Sequence, residues 1–356
     1  MKEMAIGIDL GGTSLRIGVY VGHAGYPETL LESITLPTRV EAGPDAVVDD
    51  IAQGIHRLLH THRLSLPLTG IGIGSPGPIN LVTGTLGHLP NFPGWDGFAL
   101  RPALEDALDT LDTPVLLECD ANAAALAEWK AGAGRKIQVE SMCMLTLGTG
   151  VGSGIILGGH IWHGMVGMGG EAGHTPLIPG GPLCGCGSRG CLEVYASATG
   201  LARAATELAA AGEADDIARL IDAQGAVTAL DLALLARSGS ASALHLYNRF
   251  GYYIGLGLAG LVSTLDLPLY VVGGGVASAW DLFSGQMFET LRESSYVYRL
   301  GEPTQRVTRE VNRTFICPAL IGPSAGLLGA AMLPSFRRSS SSLQSETTLV
   351  PTLERT

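Results

Sequence analysis

"MAIGIDLGGTSLRIGVYVG", residues 4–22, is two apolar strand-like runs joined by a Gly-Gly-Thr turn, and "MCMLTLGTGVGSGIILGGHI", residues 142–161, repeats the plan. Strand, glycine-threonine turn and strand follow in the same order in both. Two copies of one glycine-rich hairpin predict a chain built of two related halves. The cleft between such halves is a natural place for a small ligand.

Between the hairpins, "GPDAVVDDIAQGIHRLLHTHR" (43–63) spaces Val47, Ile51, Ile55, Leu58 and Leu59 along one apolar helical face. "GIGIGSP" (70–76) and "PVLLECD" (114–120) read as buried strands, and the second runs straight into "ANAAALAEWKAG", an alanine-rich helix closed by Gly132. Residues 198–250 read as wholly helical. The most apolar run, 252–277, is broken by Asp266, Pro268 and a glycine triplet, which predicts a buried helix followed by a buried strand and no membrane span. Strands alternating with helices, with hairpins mixed in, predict an α/β fold with mixed sheets. The expected organisation is a small N-terminal α/β lobe over residues 1–120 and a larger α/β lobe over 121–333. The larger lobe holds a cysteine-rich loop (174–191) and the helical segment. A disordered Ser/Thr-rich tail covers 334–356, and the helix before it is a candidate to return to the small lobe.

The 356 residues suffice for two domains with cores of their own. A formal net charge of -11 argues against a protein whose task is to grip nucleic acid phosphates, so small substrates are expected. The start, "MKEMAIGIDLGG", lacks a charged segment followed by a long apolar run and a cleavage site, which predicts a cytoplasmic location. Six cysteines in a reducing compartment are not a disulfide framework, and three of them packed as C-x-C-x4-C point to metal.

"DLGGT" (9–13) and "GTGVGSG" (148–154) put small residues where backbone amides and a hydroxyl can face phosphate oxygens, because a missing Cβ permits close approach. Gly11, Gly12, Thr13, Thr149 and Gly150 are the candidates. No Gly-Lys-Ser/Thr follows, so neither turn is a P-loop. One turn alone reads as a plain hairpin; the matched pair points to phosphate. Asp9 is either an organiser of water around Mg²⁺ or a turn carboxylate capping nearby amides. Gly274 and Gly275 in "VVGGGVA" (271–277) repeat the strand-to-glycine step and could accommodate a nucleotide base or ribose.

Asp120 stands where a buried strand meets a helix, and two readings stay open there. It caps the helix, or it is a general base that takes a proton from an attacking hydroxyl during phosphoryl transfer. Asn122, in the first helical turn, is as well suited to a structural as to a functional role.

In "GEAGHTPLIPGGPLCGCGSRGCLE" (170–193), His174, Cys184, Cys186 and Cys191 form a Cys3His set that suits tetrahedral Zn²⁺. All four positions would be filled by protein, which favours a structural ion over a catalytic one. Glu171 and Glu193 bracket the set, so a fixed metal would also fix both carboxylates. Cys119, Cys143 and Cys317 lie in apolar runs and read as small core residues. In the Pro/Gly-rich loops "GSPGPIN" (74–80) and "HLPNFPGWDG" (88–97), Gly77 is a candidate for substrate contact. Asn91 and Trp95 could offer a hydrogen bond and a flat face to a polar ring, although packing explains Trp95 equally well.

Taken together, "GIDLGGT", "ECDANAAALAEW", "GEAGH" and "CGCGSRGCLE" resemble the ROK family of sugar kinases and related repressors over roughly residues 4–333. The resemblance implies the actin-like (ribonuclease H-like) fold of two α/β lobes, with ATP and Mg²⁺ in the cleft. It also implies a hexose or N-acetylated aminohexose as substrate, and the homodimer usual in the family. By it Asp120 matches the catalytic base, and Glu171, His174 and Glu193 match residues that contact sugar hydroxyls. His174 also helps hold zinc with the three cysteines. Asn91 falls in the sugar-side loop, and Gly11, Gly12, Thr13, Thr149 and Gly150 match the phosphate loops. One departure is visible: the family commonly has Asn-Asp where this chain has Cys119-Asp120. The asparagine bonds a sugar hydroxyl, and a thiol is a weaker partner, so altered recognition of one ring hydroxyl is expected.

The expected activity is ATP-dependent phosphorylation of a hexose at its 6-hydroxyl, glucose first, with N-acetylglucosamine, N-acetylmannosamine or fructose as alternatives. A sugar-sensing repressor of the family carries a helix-turn-helix segment before the first hairpin, which is not expected here. A zinc hydrolase needs an open metal position, which the Cys3His set does not leave.

Overall fold

The first hairpin forms as strands β1 (Lys2–Leu10) and β2 (Ser14–His23), paired antiparallel across the Gly11–Gly12–Thr13 turn. These coordinates are a computed structural model describing residues 2–23, 26–62, 66–89, 92–303 and 312–344. Strand β3 (Tyr26–Pro37) pairs antiparallel with β2. Strands β4 (Leu68–Ser75) and β5 (Val115–Cys119) then add in parallel on the far side of β1, giving the order β3-β2-β1-β4-β5. Strand alternation sends Ile6, Ile8 and Leu10 to one face, where Val47, Ile51, Ile55 and Leu58 of helix α1 (Pro44–His62) complete a core.

The opposite face of this sheet takes the C-terminal helix, Ala325–Gln344, through Ala5, Tyr20, Leu327 and Ala331. That approach is close enough to forbid side chains. A Cβ on Gly7 would lie 2.2 Å from the Leu327 carbonyl oxygen, and one on its cross-strand neighbour Gly72 would lie 1.8 Å from that of Ala330. Pro334 has no N–H to give the Ala330 carbonyl, so the helix tolerates its proline where that carbonyl already faces the sheet.

The chain divides into two compact units, Met1–Ala123 with Gly326–Thr356, and Ala124–Ala325. The boundary falls inside helix α2 (Asp120–Lys130). Helix continues to Gln344 where a disordered tail from residue 334 was expected, because Ser335 and Phe336 are still buried at the start of the serine-rich stretch. Residues 345–356 lie outside the described residues.

In the second unit, β6 (Met142–Leu147), β7 (Val151–Leu157) and β8 (His160–Ile161) form an antiparallel meander. Strands β9 (Leu269–Gly273) and β10 (Phe315–Pro318) add in parallel, giving β8-β7-β6-β9-β10. Order and strand senses match those of the first sheet, so the two hairpins mark a duplicated α/β topology. The core joins Cys143, Leu145, Tyr270 and Val272 to Ile254, Leu258 and Val262 of helix α3 (Ala241–Leu265). Three helices, Ala198–Ala210, Asp215–Gln224 and Ala229–Arg237, precede α3. The hydroxyls of Ser197, Thr228 and Ser240 accept N–H bonds at the starts of three of the four, Thr228 with Asp231 as a full capping box. Among the described residues no helix is long and apolar enough to cross a membrane.

Candidate active site

Asp120 opens α2 directly after β5, with strand and helix both backed by core, so its carboxylate is held at a fixed junction. Its Oδ1 accepts the Ala121 N–H at 2.6 Å and the Cys119 thiol at 3.5 Å. Burial, followed by the nearby Asp120 charge, pushes the Cys119 thiol well above its ordinary range, which keeps it a donor. Just below, Glu118 is 1% exposed, and its Oε1 accepts the Cys119 N–H and the Asn122 Nδ2, each at 3.0 Å. The buried Asn122 Oδ1 has no partner among the described residues.

In the first glycine turn, Gly11 N–H bonds Ser14 O at 3.0 Å, and Thr38 Oγ1 donates to Gly11 O at 2.7 Å. Asp9 pairs with Arg16 directly across the hairpin, and Gly326 leaves room beside its carboxylate, where a Cβ would come within 3.1 Å. The second turn is tied similarly: Ala198 N–H bonds Gly148 O at 2.8 Å, and Thr199 Oγ1 donates to Thr149 O at 2.8 Å. Gly274, at φ +87°, would set a Cβ 2.4 Å from Leu147 O. The Gly274 turn therefore packs against the end of β6, just before the Gly148–Gly150 turn.

The ligand atoms of His174, Cys184, Cys186 and Cys191 all lie within 4.8 Å of one another. Cys186 Sγ and Cys191 Sγ are 3.8 Å apart, and His174 Nδ1 is 3.5 Å from Cys184 Sγ. A tetrahedral zinc ion with ordinary bond lengths implies edges of about 3.8 Å between sulfurs and about 3.6 Å between nitrogen and sulfur. The donor set fits such an ion. His174 turns its Nε2 toward Glu171 Oε2 at 4.0 Å. Burial raises the Glu171 carboxyl, an effect that His174 opposes and Glu193 reinforces. Glu193 Oε2 accepts the Val151 N–H at 2.9 Å and sits where a Gly150 Cβ would be, 2.3 Å away, so this carboxylate rests on the second glycine turn.

A sequence profile of the ROK family matches residues 5–335. The chain belongs to the ROK family. It is 36% identical over 346 residues to a glucokinase of Halalkalibacterium halodurans, covering 96% of this chain and 98% of that one. An N-acetylmannosamine kinase of Citrobacter koseri is 31% identical, covering 92% and 97%. Among solved structures, a ROK family glucokinase of Streptomyces griseus in complex with glucose and AMPPNP superposes with a TM-score of 0.74 at 30% identity, covering 93% and 98%.

Within this ROK chain, the second unit brings Glu171, His174 and Glu193 around the Cys3His set, and in the first Asp9 lies beside Gly74, whose Cβ position is 3.4 Å from Asp120 Cα. Gly77 follows β4, and Asn91 lies outside the described residues. Of the readings open for Trp95, packing holds: it is fully buried among Phe92 and Phe98, its Nε1 donating to Val40 O at 3.4 Å. Cys143 is a core residue, whereas Cys119 and Cys317 are only partly covered. Three residues were given no role by the sequence: Glu118, its partner Arg337 on the C-terminal helix, and Ser153. Arg337 Nη2 lies 3.8 Å from Glu118 Oε2, across most of the sequence. Ser153 Oγ donates to Gly170 O and accepts the Ala172 N–H at 3.2 Å, gripping the backbone on both sides of Glu171. The one available signal was Glu118 itself, a charge inside an otherwise apolar strand.

Proposed function

We propose that this sugar kinase transfers the γ-phosphoryl group of ATP to the 6-hydroxyl of glucose, with Asp120 as general base. The reading rests on one observation: a carboxylate fixed at the β5–α2 junction, in a chain alike to glucokinases over nearly its whole length. Asp120 accepts the hydroxyl proton as the sugar oxygen bonds to phosphorus, and the bond to the bridging oxygen breaks to release ADP. Amides of the Gly11–Thr13 and Thr149–Gly150 turns receive phosphate oxygens. Gly274 and Gly275 make room for the nucleoside.

Mg²⁺ would neutralise phosphate charge, its water held by Asp9. Zn²⁺ on His174, Cys184, Cys186 and Cys191 would supply no chemistry, only rigidity. Glu171, His174 and Glu193 take sugar hydroxyls.

ADP release across glucose, fructose and N-acetylhexosamines tests the substrate, and the likeness to N-acetylmannosamine kinases makes that sugar the second reading. Asp120→Ala should fold, bind zinc and lose about 10²- to 10⁴-fold in turnover. Near-normal turnover would remove Asp120 from its role.

A further inference from the structure

The C-terminal helix brings an arginine to the strand that leads into Asp120. Arg337 Nη2 donates to Leu117 O at 3.3 Å and stands 3.8 Å from Glu118 Oε2, with Glu118 buried and Arg337 about one-third exposed. Glu118 Oε1 in turn receives the Cys119 N–H and the Asn122 amide, the residue before Asp120 and the residue two after it. A buried carboxylate is retained only where donors and an opposite charge compensate it, and this one spends its donors on both flanks of Asp120.

We propose that Glu118 and Arg337 are positioning residues for Asp120: Glu118 holds the Cys119 backbone N–H before the base and the Asn122 side chain after it, and Arg337 holds Glu118 in place. The inference rests on Asp120 as base. Asp120 Oδ1 already takes the Ala121 N–H and the Cys119 thiol, so its direction follows the backbone that Glu118 holds. Displacing a reacting group by about 1 Å costs on the order of 10²-fold in rate. Because Glu118 is buried, removing its cation also weakens the fold, so turnover is compared at equal concentrations of folded protein.

Replacing Arg337 by Met leaves Glu118 buried without its cation. Arg337→Met should lower kcat by about 10- to 100-fold, with KM for glucose and ATP within about threefold of the parent and a lowered but still cooperative melting transition. Arg337→Lys should restore most of the turnover. The double variant Glu118→Gln/Arg337→Met should recover to about the level of Glu118→Gln alone, since the neutral amide keeps the acceptor and needs no cation.

A double-mutant cycle with Asp120→Asn decides whether Arg337 acts through the base. If it does, Arg337→Met costs nothing further in the Asp120→Asn background. Multiplying losses, or a parental kcat in Arg337→Met beside an inactive Asp120→Asn, overturns the positioning role alone. Parental turnover in Asp120→Asn overturns the base itself, whatever Arg337→Met does. Should Arg337→Met not fold, Arg337→Gln, which removes the charge and keeps a polar donor, carries the same cycle.

Discussion

Alanine at Gly150 is a probe of whether the glycine turn and the sugar contacts are one device. Gly150 is not among the glycines with positive φ, so alanine fits the backbone there. Its Cβ would lie 2.3 Å from Glu193 Oε2, where a comfortable carbon–oxygen approach is about 3.3 Å. The carboxylate must therefore retreat by about 1 Å, breaking its 2.9 Å bond with the Val151 N–H. A hydrogen bond to a charged group is worth about 1.5–3 kcal/mol, and each 1.4 kcal/mol is tenfold in affinity. If Glu193 grips the sugar, glucose KM should rise by about 10- to 100-fold. Because the displaced atom is the far end of a flexible side chain, the melting temperature should fall by only a few degrees. The assay is ADP release against glucose at saturating ATP, then against ATP at saturating glucose. A rise in the ATP KM alone, with glucose KM unmoved, would refute the coupling and leave Gly150 as a phosphate contact only.

The same reasoning gives the opposite pattern at Gly274, where an alanine meets the Leu147 backbone at 2.4 Å and sits at φ +87°. Gly274→Ala should cost about 1–3 kcal/mol or more, read as a clear drop in thermal midpoint, and an unshifted midpoint would refute the packing. Ser153→Ala loosens the backbone on both sides of Glu171 and should raise glucose KM by up to about tenfold without moving the ATP KM; equal shifts in both would point to a general defect. Cys119→Asn restores the residue the family commonly carries and should improve sugar affinity, so equal or poorer affinity counts against Cys119 as the cause of altered recognition.

The hairpins were legible because a period-two apolar pattern interrupted by glycines has few other readings, and the strand orders repeat as the two copies predicted. The Cys3His set was legible for a similar reason, since three close cysteines and a histidine are rarely placed by packing. Contacts made across long sequence separations left no such trace. Gly7 and Gly72 lie in runs that read as strands, yet nothing local shows that both are emptied to admit a helix more than two hundred positions away. Trp95 lay in a Pro/Gly-rich loop that resembled a ligand wall, but its large apolar ring found more area to bury in the core. The serine-rich stretch after Pro334 read as disordered because composition reports only local preference, and the helix there is anchored by what precedes it.

The two groups of proposed functional residues sit in unlike surroundings, and the difference shows what a metal would add to one of them. Asp120 sits at the end of a strand whose neighbours Val115 and Leu117 are buried, and α2 behind it buries Ala121, Ala123, Ala125 and Leu126. Apolar burial alone can fix that junction. Between Gly170 and Gly190, by contrast, Ala172 and Cys184 are the only buried apolar residues, while Leu183 is 64% exposed and Ile178 37% exposed. A segment with so little to bury cannot offset its own chain entropy, roughly 1–2 kcal/mol per residue for the backbone. Four ligands closing on one ion would supply the missing free energy at His174, a proposed sugar contact. A cross-link there stiffens Glu171 and Glu193 without adding apolar surface beside a polar substrate, which a larger hydrophobic core in that loop could not do.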